Sequence, residues 1–188
     1  MNDIFQAVAQ LFKTLESRQI SYVLVGGIAM LQYVEGRNTE NIDLIVATSD
    51  LPKLPEIILE SQDGDFARGH FQGLQIDFLL SQNRLFDFVR QHHATTQLFN
   101  EREITCATVE GLLMLKLYAL PALYRQGRFA RVGLYENDIA TLMQSYRPDM
   151  TPIFAELQNH LSQNNLQSVL EIVRDIEARI ARFNTRDL

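Results

Sequence analysis

Apolar positions recur along the chain with two periods, and the switches between those periods lay out its elements. From residue 3 to 18, Ile4, Phe5, Val8, Leu11, Phe12 and Leu15 follow the spacing of an amphipathic helix with one buried face. Tyr22 to Val25 is a short apolar, β-branched run that predicts a strand. Gly26-Gly27 stops it, and Ile28 to Val34 resumes helical spacing, so the pattern reads strand, tight turn, helix. Asn41 to Val46 (NIDLIV) predicts a second strand. Period-two geometry puts Asn41 and Asp43 on one of its faces, with Glu40 and Ile42 on the other. Ser49 or Asp50 is placed to cap a helix running to about Leu59, with Pro52 in its first turn. Asp63-Gly64-Asp65 reads as a turn, and Phe66 to Phe71 as a strand paired with Leu74 to Leu80 across a loop holding Gly73.

Arg84 to His93 predicts a helix with Leu85, Phe86, Phe88 and Val89 inward, and His92-His93 at the end that the helix dipole favours for histidine. Glu103 to Ala107 is a last short strand. Thr108 then offers an N-cap for Val109 to Leu120, apolar nearly all round except for Glu110 and Lys116. Tyr135 to Met143 predicts another helix, with Asp138 beside its apolar stripe. Two further helices are expected over 151 to 163 and 166 to 183, the second with a stripe of Leu166, Val169, Leu170, Val173, Ile176, Ile180 and Phe183. These last helices are expected to cap the domain, to make a homodimer or to meet a partner protein. The pattern divides the chain at 107/108 into an α/β core, 1–107, and a helical part, 108–188, packed on it.

Composition narrows the classes. With 188 residues and 46% hydrophobic content, this is one globular domain, or a domain with a small helical cap. Lys and Arg total 17 against 23 Asp and Glu, a net charge of −6, so there is no overall basic footprint for nucleic acid. The one basic cluster is Arg125, Arg128 and Arg131, read as a loop over a phosphate group or as an exposed connection. A single cysteine, Cys106, excludes an internal disulfide, and four histidines give no zinc-ligand spacing. No run reaches membrane-spanning length and the N-terminus lacks a signal-like basic-then-apolar start, so a cytoplasmic protein is expected.

Chemistry concentrates between Tyr22 and Leu80. Gly26-Gly27 suits a plain tight turn, or a turn whose missing Cβ atoms admit a phosphate to the first amides of a helix. Asp43 and Asp77 each place one carboxylate in an apolar strand, where a charge requires a partner. Two such strands suggest carboxylates converging on a divalent cation; structural salt bridges are the alternative.

The run Gly26-Gly27-x-Ala29, then Gly36-Arg37-x-Thr39, Asn41-x-Asp43 and a later strand with Asp77, resembles the nucleotidyltransferase superfamily, the fold of DNA polymerase beta. The small prokaryotic branches are nearest in pattern: minimal nucleotidyltransferases, the abortive-infection toxin type and aminoglycoside nucleotidyltransferases. The resemblance covers roughly residues 20 to 145. It implies an α/β (α+β) fold with a short mixed, twisted sheet flanked by helices and followed by a helical C-terminal part. It implies Mg²⁺ or Mn²⁺ held by Asn41, Asp43 and Asp77, with Asp43 and Asp77 catalytic. It further implies an NTP held by Gly26, Gly27, Arg37, Thr39 and Lys116, and transfer of a nucleoside monophosphate to a hydroxyl of RNA, protein or a small molecule. Asn41 stands where the family has the first Asp of its Asp-x-Asp pair. It offers a carbonyl oxygen but removes a full charge and a bridging role, so weaker or single-metal binding is expected. For Lys116, reaching the phosphates stands beside snorkelling to a nearby surface, and Asp138 is expected to pair with Lys116 or Arg131.

Two functional classes therefore remain. One is a metal-dependent nucleotidyltransferase. The other is a catalytically impaired relative acting as a nucleotide-binding or partner-binding subunit, regulatory or of the toxin–antitoxin type. A dinucleotide-dependent oxidoreductase is excluded by the missing G-x-G-x-x-G spacing and by the mid-strand place of Asp43; a P-loop NTPase is excluded by the missing G-x-x-x-x-G-K-[ST].

Overall fold

The computed structural model describes residues 2–34, 41–99 and 102–184, leaving aside the side chains of 2–5 and 183–184. Its first element, α1 (Asn2–Ser17), buries Val8, Leu11, Phe12 and Leu15 as the apolar spacing predicts. The chain then runs through β1 (Tyr22–Val25), the short α2 (Gly26–Met30) and β2 (Asn41–Val46). A 3-10 turn (Thr48–Lys53) precedes β3 (Ile58–Gln62), β4 (Phe66–Phe71), β5 (Leu74–Leu80) and α3 (Arg84–His92). The strands β6 (Ala94–Phe99) and β7 (Arg102–Ala107) complete a seven-stranded sheet of order β3-β4-β5-β2-β1-β7-β6. β1 is antiparallel to β2 and parallel to β7, and β2 is parallel to β5, so the twisted sheet is mixed.

Two compact units divide the chain, Met1–Thr108 with the sheet and Val109–Leu188 with the remaining helices. The second unit contains α4 (Val109–Arg125), α5 (Phe129–Tyr146), α6 (Met150–Leu157) and α7 (Gln163–Asn184), with α4 packed with the other three. Among the described residues, no helix is long and apolar enough to cross a membrane.

Several sequence expectations change: the helix expected over Ile28 to Val34 ends at Met30, and the one expected over 151 to 163 ends at Leu157. The helix expected from residue 50 to 59 is a 3-10 turn followed by a strand: Pro52 falls inside the turn, and Ile58 to Gln62 pair with β4 instead. The connection expected around the arginine cluster shrinks to residues 126–128, because α4 continues through Pro121 to Arg125 and α5 takes up Arg131. Phe88 is half-buried, not a core residue, and makes tilted ring contacts with His92 and His93, centroids 4.7 and 5.6 Å away.

The central strands carry the core on one face and polar groups on the other. In β5, Leu74, Ile76, Phe78 and Leu80 are buried while Gln75, Asp77 and Leu79 are half-buried; in β2, Ile42 and Leu44 are buried while Asn41 and Asp43 are half-buried. This alternation is what period-two geometry requires of a strand with one covered face. Cys106 lies in β7 with no exposed surface, and burial pushes its thiol up to about 12. The thiolate is the reactive form. Ellman's reagent is therefore expected to leave Cys106 unlabelled in native protein at pH 8 and to react stoichiometrically once denaturant is added.

Candidate functional site

The pairing of β2 with β5 sets Asn41 beside Gln75 and Asp43 beside Asp77. Across β4 and β5, Arg68 faces Asp77; on the other flank, Val25 faces Asp43 and Gly26 follows it directly. One row across four strands thus reads Arg68, Asp77, Asp43, Val25. Two carboxylates that lie far apart in sequence become neighbours on the polar side of the sheet.

Gly26 is fitted to Asp43. Its φ is +65°, the left-handed region that favours glycine. A Cβ built on it would lie 2.0 Å from Asp43 Oδ2, 2.4 Å from Cγ and 2.7 Å from Cβ. The carboxylate therefore occupies the room that the missing side chain leaves, at the point where β1 turns into α2.

Asp77 is surrounded by donors. Arg68 Nε donates to Oδ1 at 2.6 Å and Arg68 Nη2 to Oδ2 at 3.2 Å, a two-pronged guanidinium–carboxylate pair. Asn41 Nδ2 donates to Asp77 Oδ2 at 2.9 Å and to Asp43 Oδ1 at 3.4 Å, and Gln75 Nε2 reaches both Asp77 oxygens at 3.5 and 3.4 Å. Asp77 raises the pKa of the Arg68 guanidinium, first through the hydrogen bonds and then through charge. Asn41, expected to lend its carbonyl to a metal, here turns its amide NH₂ toward both carboxylates. With no charge of its own beside two anions, the NH₂ orientation is the favourable one in the absence of a cation.

This donor set fits one divalent cation. Asp43, Asp77 and a turned Asn41 carboxamide supply hard oxygens of the kind Mg²⁺ takes. Among the described residues, no cluster of three or more His, Cys, Asp or Glu side chains is arranged to hold a metal, so Asn41 would have to serve as the third ligand. The expected phosphate residues Arg37 and Thr39, together with Gly36 and Glu40, lie outside the described residues.

Lys116 belongs to the second unit. Its ammonium is 2.7 Å from Asp138 Oδ2 and lies 4.5 Å from the centroid of the Tyr135 ring, with both charged side chains almost fully buried. Arg131 lies farther out, its guanidinium 5.8 Å from the same ring, and Arg125 donates to Asn165 Oδ1 at 3.0 Å.

Arg68 and Gln75 are the site residues that sequence reading passed over, although the hairpin carries the signal for them. Gln72 and Gly73 have φ of 51° and 80°, the positive pair of a two-residue type I′ turn. Such a turn sets Phe71 against Leu74, and counting back in step sets Arg68 against Asp77 and His70 against Gln75.

Solved structures share this architecture. An antigenic nucleotidyltransferase-like protein from Paracoccidioides brasiliensis matches 96% of this chain and 93% of its own, with a TM-score of 0.61 and 19% identity. The chain has the nucleotidyltransferase fold. The antibiotic-resistance factor ANT(2'')-Ia matches as well. Its solution structure pairs 98% of this chain with 99% of its own at a TM-score of 0.51 and 12% identity. Its crystal structure with adenylyl-2''-tobramycin pairs 92% with 95% at a TM-score of 0.55 and 11% identity. No family model matches the sequence, and no curated protein matches it.

Proposed function

We propose that this nucleotidyltransferase-fold chain binds an NTP together with one divalent cation, Mg²⁺ or Mn²⁺, at the Gly26–Asp43–Asp77 corner, and transfers the nucleoside monophosphate to a hydroxyl acceptor. The observation that carries the reading is the in-register pairing of Asp43 with Asp77, with Asp43 seated on the bare Cα of Gly26. Asp43 and Asp77 hold the cation, and Asn41 adds its carbonyl oxygen by turning its carboxamide. A bound divalent ion supplies Lewis-acid stabilisation of the charge that develops on the phosphoryl oxygens. Gly26 and Gly27, at the turn from β1 into α2, are assigned to the phosphates together with Arg37, Thr39 and Lys116, with Asp138 orienting the Lys116 ammonium. In the transfer, the acceptor oxygen bonds to the α-phosphorus, the bond from that phosphorus to the β-phosphate bridge breaks, and pyrophosphate leaves. The acceptor is a hydroxyl of RNA, protein or a small molecule.

Asn41 supports a second reading. Its NH₂ spans the two carboxylates, which suits a nucleotide-binding or partner-binding subunit, regulatory or of the toxin–antitoxin type, that keeps the fold without transfer. Partners of that kind, or a second copy of the chain, would meet the C-terminal helices.

Calorimetric titration with each NTP, with Mg²⁺ or Mn²⁺ and again with EDTA, tests both readings. Binding that EDTA removes, followed by release of pyrophosphate or labelling of an acceptor from α-labelled NTP, is the result expected of the enzyme; binding without transfer supports the nucleotide-binding form of the second reading, and no binding under any condition defeats the enzyme and leaves a relative that acts through protein contacts. Asn41→Asp adds a unit charge at contact distance and is expected to tighten Mg²⁺-NTP binding, or raise transfer, about tenfold. An unchanged variant would remove position 41 from the cation site. Asp43→Ala is expected to abolish binding while cooperative thermal unfolding persists; a loss of stability with binding intact would mark Asp43 as a structural ion-pair residue.

A further inference from the structure

Arg68 makes the most direct charged contact in the site, and the reading above gives it no task. Its guanidinium spans both oxygens of Asp77, at 2.6 and 3.2 Å. Asn41 and Gln75 donate to the same carboxylate. A carboxylate offers about four lone-pair positions, so Asp77 is saturated by its neighbours. A divalent ion that engages Asp77 must displace at least one of these donors.

The donors differ in what displacement entails. Asn41 is a neutral amide that can exchange NH₂ for carbonyl by a half-turn of its terminal group and so become a ligand. Arg68 cannot; it has five N–H donors, no acceptor and a permanent positive charge. It would stand beside the incoming ion as a like charge. Its side chain is 46% exposed while that of Asp77 is 15% exposed, so the guanidinium has open solvent to move into and the carboxylate does not.

We propose that Arg68 is an internal cation that competes with the divalent ion for Asp77. This inference rests on the cation site proposed above and names the residue that sets its affinity. In the ion-free protein, Arg68 offsets one of the two carboxylate charges, which keeps Asp43 and Asp77 together at neighbouring positions of β2 and β5. Entry of the ion and departure of Arg68 from Asp77 are then one exchange, and the divalent ion alone binds more weakly than its two carboxylates would allow.

Titration with Mn²⁺ alone, with free Mn²⁺ read by electron paramagnetic resonance, tests this without reference to activity. The proteins compared are the natural chain, Arg68→Gln, Arg68→Lys, Asp43→Asn and the double variant Arg68→Gln/Asp43→Asn, each checked for native circular dichroism. Arg68→Gln is expected to bind Mn²⁺ about fivefold tighter than the natural chain, the size of effect that a partly exposed ion pair supports. Arg68→Lys, which offers a single point charge, is expected to fall between them, and Asp43→Asn is expected to abolish binding in either background. The advantage of Arg68→Gln should shrink as ionic strength rises, because the competing pair is partly solvent-screened. Unchanged or weaker binding by Arg68→Gln, with binding still lost in Asp43→Asn, overturns the competition and leaves the cation site standing. Binding that ignores Asp43→Asn, or no Mn²⁺ binding by any of the proteins, overturns the cation site itself.

Discussion

Replacing Lys116 by methionine is expected to destabilise the protein by about 3–5 kcal/mol in denaturant unfolding, the range found when one partner of a buried ion pair is removed. Lys116 and Asp138 are 4% and 2% exposed, and the ammonium lies 2.7 Å from the carboxylate. Methionine keeps the length of the side chain and fills most of the same space, so the loss would come from the buried Asp138 carboxylate losing its ammonium partner, with little contribution from a cavity. The double variant Lys116→Met/Asp138→Leu separates the terms. Replacing a whole buried pair by apolar residues is often neutral or stabilising, so most of the lost stability should return. Nucleotide binding should not return with it, because Lys116 is also assigned to the phosphates. A double variant that regains stability and also binds NTP normally would confine Lys116 to a structural role. A single variant as stable as the natural chain would contradict the burial of the pair.

Gly26→Ala is the second substitution with a large expected effect, and it acts on the site and the fold together. A non-glycine residue at φ +65° costs about 1–2 kcal/mol in backbone strain. The added Cβ would also fall 2.0 Å from Asp43 Oδ2, so the carboxylate must move. Overpacking of this kind adds about 1–3 kcal/mol. Gly73→Ala isolates the first term: Gly73 has φ of +80° and nothing lies within 4 Å of the place its added methyl would take, so only the backbone strain applies. Both variants should be less stable, Gly26→Ala by more, yet only Gly26→Ala should lose metal-dependent nucleotide binding. A displacement of about 1 Å in a catalytic group can cost roughly 100-fold in rate, and calorimetry should show the accompanying loss of nucleotide binding. Equal binding by the two variants would mean that Asp43 is not held where the site requires it.

The elements that can be read from the residues are those with one covered face. β5 alternates buried and half-buried positions throughout, β2 does so over Asn41 to Leu44, and α1 presents one apolar stripe, so burial writes a period into each of them. The start of β3 reads as the end of a helix in the sequence because every residue of the strand is exposed: as the outermost strand it has no covered face, and only its pairing with β4 makes it a strand. β6, at the opposite edge, has no pattern that predicts it. It has no buried residue, and its register with β7 defines it. The extra length of α4 is hidden by Pro121, which reads locally as a stop but lies buried inside the helix.

The candidate site divides along the same line. That Asp43 and Asp77 stand in apolar strands, and that glycines end β1, are local facts, and the sequence by itself determined them, because side-chain period and glycine's missing Cβ do not depend on distant residues. That the two carboxylates are neighbours was decided only when β5 paired parallel to β2 in the register that sets 43 against 77. The β4–β5 hairpin turn is local and already sets Arg68 against Asp77, but tertiary structure set the Asp43 carboxylate on Gly26 and turned the Asn41 amide toward both anions. Each of these tertiary placements depends on strand order and register. Pairing energies between strands distant in sequence decide those two properties, and no local pattern encodes them.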